Sequence, residues 1–105
     1  KNTGGVYDPE ADRWTPITTI GTQIIGYDTV IWAGSRMLVW GGSSSDINTI
    51  GTYDPETDSW GVITATNPPA SRSGPTVVWT GSKMLIWGGS GKDTGSLNTG
   101  GIYEP

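Results

Sequence analysis

Residues 30–42 read Val30-Ile31-Trp32-Ala33-Gly34-Ser35-Arg36-Met37-Leu38-Val39-Trp40-Gly41-Gly42. Residues 78–89 repeat the pattern as Val78-Trp79-Thr80-Gly81-Ser82-Lys83-Met84-Leu85-Ile86-Trp87-Gly88-Gly89. Each copy is an apolar run, a Gly-Ser-basic break, a second apolar run ending in Trp, and a Gly-Gly doublet. Two β-rich runs joined by a short glycine-containing break predict a β-hairpin. The runs are apolar at nearly every position instead of alternating. Strands covered on both faces are therefore expected, as in a sheet stacked between other sheets.

The rest of the chain is spaced around these hairpins. Trp32 to Trp79 and Trp40 to Trp87 are each 47 residues apart, and Tyr7 to Tyr53 and Trp14 to Trp60 are each 46 apart. A strand-rich period of this length predicts a propeller blade and not a helical solenoid. Four strand types fit one period. The first lies at 28–33 and 75–80, and the second at 37–40 and 84–87. The third is the Asn-Thr-x-Gly-x-Tyr run at 2–7, 48–53 and 98–103, and the fourth lies at 14–18 and 60–64. The chain thus divides into a partial blade at 1–18, a complete blade at 27–64 and a partial blade at 74–105, all of one domain. It opens at Lys1 and not Met, so an upstream segment is expected either to have been removed or to lie outside this sequence.

Third and fourth strands are joined by Asp8-Pro9-Glu10-Ala11-Asp12 and by Asp54-Pro55-Glu56-Thr57-Asp58. Proline suits the second position of a type I turn, and the aspartate before it can accept backbone N–H bonds. These acidic runs lack the glycine and the downstream bidentate glutamate of a calcium loop, so they read as turns. The Gly-Gly doublets are followed by more strand, and therefore mark tight backbone packing instead of a phosphate cradle.

Composition narrows the function classes. Helix formers are scarce in these 105 residues, which argues an all-β fold; with the repeat period, the units expected are antiparallel four-stranded blades. The chain has no cysteine and no histidine. That removes disulfides, thiol nucleophiles, the usual general base and the commonest transition-metal ligand. No nucleophile–base pairing is visible, so no enzyme activity, metal or cofactor is expected. The net charge of −4 is spread without a basic stripe, which argues against nucleic acid. No apolar run approaches the roughly 18 residues of a membrane helix. A secreted or cell-surface location is favoured over the cytoplasm; the absence of cysteine permits it without requiring it.

The pattern resembles kelch-type β-propellers. The residues that carry the resemblance are Gly41, Gly42, Tyr53 and Trp60 in one repeat, Gly88, Gly89 and Tyr103 in the next, and Tyr7 and Trp14 in the repeat before. In kelch repeats a Gly-Gly doublet closes the second strand, a tyrosine lies in the third, and a tryptophan about seven residues later opens the fourth. The wording Trp79-Thr80-Gly81-Ser82-Lys83-Met84-Leu85-Ile86-Trp87-Gly88-Gly89 is similar to bacterial kelch-like proteins in particular. One departure is Gly74-Pro75, where such repeats often carry Gly-His. The resemblance implies protein or ligand binding, and in a minority of cases an enzyme.

Two blades' worth of strands cannot close a propeller, which has four to eight blades. The partners expected are therefore further blades of a longer chain or copies of this one. Asn2–Tyr7 and Asn98–Tyr103 are both third-type strands, a redundancy that favours the longer chain. Between repeats, the second-to-third and fourth-to-first loops vary in length and fall on one edge of the sheets. Variable loops on a rigid scaffold commonly bind. Tyr27, Ser44, Ser45, Asp46, Arg72, Lys92, Asp93 and Thr94 are therefore the candidate contacts for a protein or glycan ligand. The six tryptophans each hold a repeat position and read as core, with Trp14 and Trp60 packed between blades and their indole N–H bonded to backbone. The function expected is a non-catalytic binding or assembly scaffold; the alternative is a piece of a propeller enzyme or carbohydrate-binding lectin whose active residues lie in other blades.

Overall fold

The computed structural model describes residues 3–21, 29–40, 49–64, 66–91 and 95–105. Among them there is no helix, and every strand pairing is antiparallel. β1 (Gly5–Asp8) and β2 (Arg13–Pro16) form a two-stranded sheet. β3 (Thr29–Trp32), β4 (Met37–Trp40), β5 (Thr49–Asp54) and β6 (Ser59–Thr64) form a four-stranded sheet in chain order. β7 (Thr76–Trp79) and β8 (Met84–Trp87) follow, then a ribbon of β9 (Ser90–Gly91) and β10 (Gly95–Ser96). β11 (Gly100–Tyr103) closes a three-stranded sheet with β8 at its centre. The described residues are thus all-β, with one four-stranded sheet, one three-stranded sheet and two two-stranded ones. The β9–β10 ribbon is the element that sequence reasoning did not contain.

The two hairpins that announce the fold turn in the same way. The Ala33 N–H donates to Arg36 O at 2.8 Å, and the Thr80 N–H donates to Lys83 O at 2.9 Å. Gly34 (φ 85°) and Gly81 (φ 104°) sit at the first central position of these turns. A positive φ at that position is the type II′ arrangement, whose twist matches that of the flanking strands.

The four-stranded sheet packs face to face on the three-stranded one. Leu38 and Trp40 from β4 and Ile50 from β5 meet Met84 and Ile86 from β8, with Ile31, Val77 and Trp79 packed around them. Burying each such side chain contributes about 1.5–3 kcal/mol. The alternation of side chains along a strand decides which of them reach this layer. On β8, Met84 and Ile86 face the four-stranded sheet, whereas Trp87 points to the opposite face and is 59% exposed.

This alternation corrects the expectation that all six tryptophans are core. Trp40 is 2% exposed, but its repeat partner Trp87 lies on the uncovered face of the three-stranded sheet. Trp79 packs into the layer, whereas its partner Trp32 is 52% exposed on the far face of the four-stranded sheet. Partners occupy equivalent strand positions, but a neighbour covers only one of each pair.

Candidate functional site

The most elaborate side-chain arrangement recurs at the third-to-fourth strand turns. Asp54 starts the β5–β6 turn, and its Oδ1 accepts from the Glu56 N–H at 2.9 Å. Asp8 does the same for the Glu10 and Ala11 N–H groups in the β1–β2 turn. Both runs are therefore the Asp-initiated turns expected. Each ends in an aspartate with left-handed backbone, Asp12 at φ 49° and Asp58 at φ 48°. Aspartate is among the few non-glycine residues that tolerate this region.

That conformation aims the carboxylate back along the strand. Asp58 Oδ1 accepts from the Tyr53 hydroxyl at 2.7 Å, and Asp12 Oδ1 accepts from the Tyr7 hydroxyl at 2.6 Å. The strand register places Trp60 opposite Tyr53 and Trp14 opposite Tyr7. The ring centroids lie 5.0 Å and 5.1 Å apart, tilted in both pairs. Each unit is therefore a tyrosine, an aspartate five residues on and a tryptophan two further, held in one geometry.

The two units differ in what they hold. Asp58 Oδ1 also accepts from the Thr18 N–H at 3.1 Å, while the Trp60 indole N–H donates to Thr18 O at 2.8 Å. The pair thus grips both polar groups of one backbone residue in the segment that leaves β2. The indole-to-backbone bond expected of Trp60 is present, and it links the four-stranded sheet to the segment leaving β2. Trp14, in the equivalent unit, is 68% exposed.

Electrostatics follow this geometry. Burial, and then the hydrogen bond to Asp58, push the Tyr53 phenol up to about 12. The Tyr53 hydroxyl and the Thr18 N–H hold the Asp58 carboxyl below its ordinary value. Tyr103, third of the repeat tyrosines, is raised by burial.

Arg72 is the one candidate contact among the described residues, and it is not a solvated loop side chain. It is 3% exposed, and its guanidinium donates to the chain's own backbone. Nε donates to Ala70 O at 3.0 Å, and Nη1 to Gly88 O at 2.9 Å and Thr99 O at 2.6 Å. Nη2 donates to Thr99 Oγ1 at 3.2 Å. The planar fork matches these acceptors and ties the start of the β8–β11 connection to its end. Ser73 and Ser90 exchange backbone bonds beside it, each at 2.9 Å. Gly88 (φ 74°) and Gly89 (φ 89°) make the bend, and a Cβ on Gly89 would stand 2.7 Å from Ser73 O. That doublet therefore marks close backbone packing, as its sequence context suggests.

Tyr27, Ser44, Ser45, Asp46, Lys92, Asp93 and Thr94 lie outside the described residues, as do Gly41 and Gly42. Sequence reasoning treated Asp12 and Asp58 only as turn residues and passed over Thr18. The signal available was positional: both aspartates stand five residues after the tyrosine and two before the tryptophan.

A cleft of about 350 Å³, open to solvent, lies beside β11. Pro68 and Pro69 from the segment leaving β6 line it, with Tyr103 and Ile102 from β11 and Trp40 and Ile50 at its floor. A scan against protein-family models finds no match to this chain, and a search of curated proteins finds none either.

Proposed function

We propose that this chain is a segment of a kelch-like β-propeller that acts as a non-catalytic binding and assembly scaffold, built into a longer propeller or closed by association of copies. The observation that carries this reading is the grip of Asp58 and Trp60 on Thr18. It joins the segment leaving one sheet to the outer strands of the next, which is how stacked repeats transmit order to their neighbours. The uncovered faces at Trp32 and Trp87 agree with it, since each is the repeat partner of a face that is packed.

The test is a series of tandem fusions of one, two, three and four copies, each junction retaining a single third-type strand, melted at a protein concentration at which the single copy is monomeric by light scattering. The reading requires a steep rise in unfolding temperature and cooperativity at the copy number that closes the ring. A series whose melting is the same at every length overturns it.

A further inference from the structure

We infer that the outer edge of β6 is a docking edge for a second copy of this chain, which pairs its own β6 antiparallel to it about Val62. β6 is the last strand of the complete four-stranded sheet, so this edge stands free whether or not other sheets stack on the faces. The contact therefore lies beyond the stacking of repeats proposed above.

The hydrogen-bonding phase of β6 follows from its repeat counterpart. In the first hairpin the Ile17 N–H donates to Gly4 O at 3.0 Å, directly across the two strands. Opposed residues in an antiparallel pair alternate between bonded and non-bonded positions. Thr15 therefore turns its backbone groups towards β1, and Trp14 and Pro16 turn theirs outward. The β5–β6 hairpin has the same register, with Asp54 opposite Ser59 as Asp8 is opposite Arg13, and Tyr53 opposite Trp60 as Tyr7 is opposite Trp14. Trp60, Val62 and Thr64 thus direct their backbone groups away from β5. Among the described residues, none hydrogen-bonds to these outward groups.

The two outer edges differ at one position. In β2 it is Pro16, which has no N–H to offer, and Arg13 adds a charge; both are common blocks to strand addition. In β6 the same position is Val62, which is 46% exposed. The six-residue strand Ser59-Trp60-Gly61-Val62-Ile63-Thr64 contains neither proline nor charge. An unblocked edge of this kind is a template for pairing.

A second copy is the occupant whose chemistry fits. With Val62 opposite Val62 of the second copy, the outward groups of both strands fall in step. The two valines exchange both of their backbone bonds, and each Trp60 faces the Thr64 of the other copy. Side chains of these three positions share one face of the strand, so the exposed Val62 packs on its equivalent. No like charges meet, because β6 carries none. Gly21 bounds the free run at the Trp60 end, where a Cβ on it would stand 3.7 Å from Trp60 Cβ; no atom of Val62 comes within 4 Å of that point. The contact is isologous, so it consumes both edges and closes at a dimer.

The repeat itself supplies the test. Val62→Pro gives β6 the residue that β2 has at this position, and it costs no bond to β5 because the nitrogen points outward. Sedimentation velocity of the 105-residue chain over a dilution series is expected to show a reversible monomer–dimer equilibrium. Val62→Pro deletes both central bonds and is expected to raise the dissociation constant at least about thirtyfold. Val62→Lys keeps the backbone intact and sets like charges across the two-fold axis, so it should weaken the dimer as well, most at low salt. The chain has no cysteine, and directly opposed residues fall within disulfide reach. Mild oxidation should therefore join Val62→Cys chains in pairs, but not Ser35→Cys chains, whose cysteine lies on the exposed β3–β4 turn. A monomer at every concentration overturns the inference. So does an assembly of any size that Val62→Pro and Val62→Lys leave intact, or one in which Val62→Cys joins no faster than Ser35→Cys. The tandem series is read on monomeric protein and stands or falls separately.

Discussion

The Trp60 indole N–H donates to Thr18 O at 2.8 Å, across 42 positions of chain, while the Asp58 carboxylate takes the N–H of the same residue. One threonine backbone is thereby the hinge point between the first hairpin and the four-stranded sheet. Both of its polar groups are satisfied by side chains, so the contact resists displacement by water more than a single bond would.

This contact separates two residues that share a sequence motif. Trp60→Phe keeps the ring against Tyr53 and removes only the N–H donor. It is expected to destabilise the chain by about 1 kcal/mol. Trp14→Phe removes a donor from an exposed ring and is expected to change stability by less than about 0.5 kcal/mol in the monomeric state. Urea unfolding of the two variants at low protein concentration measures the difference.

Arg72 is expected to be the least replaceable charged residue. Arg72→Ala leaves the carbonyls of Ala70, Gly88 and Thr99 without the guanidinium, at a cost of about 3 kcal/mol for a buried, charge-assisted set. Arg72→Lys restores the charge but not the fork, and should recover less than half of that loss. Chemical denaturation gives the totals. Hydrogen exchange at the Gly88 and Leu97 amides, which donate to Thr99 O and Gly89 O, reports whether the β8–β11 connection opens first.

Stability should decline at both ends of the pH scale for identifiable reasons. The Tyr53 phenol is raised from 10.0 to about 12, so the folded state retains that proton where the unfolded chain releases it. Its contribution is whole below pH 10.0 and is lost as the pH rises towards about 12. The Asp58 carboxyl is lowered, so its contribution is present above the ordinary value of 3.8 and is lost as the pH falls through the folded value. Thermal melts across pH check both limbs: Tyr53→Phe should flatten the alkaline fall, and Asp58→Asn the acid one.

Gly89 and Gly34 both have positive φ, but only one has a neighbour. Gly34→Ala meets nothing within 4 Å and should cost about 1 kcal/mol of backbone strain. Gly89→Ala adds a Cβ 2.7 Å from Ser73 O and 3.0 Å from Pro75 N, and is expected to cost more than about 2 kcal/mol. Comparing the two unfolding midpoints isolates the steric part from the conformational part.

The strand order and the hairpin turns were legible from repeat spacing, because each rests on local chemistry. Gly34-Ser35 and Gly81-Ser82 set their turns within four residues, and the Asp-Pro turns fix which tryptophan opposes which tyrosine. The β9–β10 ribbon was not legible, because two-residue strands in Ser90-Gly91 and Gly95-Ser96 carry no apolar pattern. The burial of Arg72 was not legible for a related reason: a loop position says nothing of which carbonyls will fold over it.

By itself, the sequence determined that the chain is built from antiparallel β-strands in a repeating order of four, and which residues turn the chain between them. Periodicity and turn chemistry act between near neighbours, and every repeat expresses them alike. Only the tertiary structure decided which copy of each motif is buried. Trp40 and Trp87, Trp79 and Trp32, and Trp60 and Trp14 are written the same way. They differ because burial depends on what stacks against a face, and that is a property of the neighbour and not of the residue.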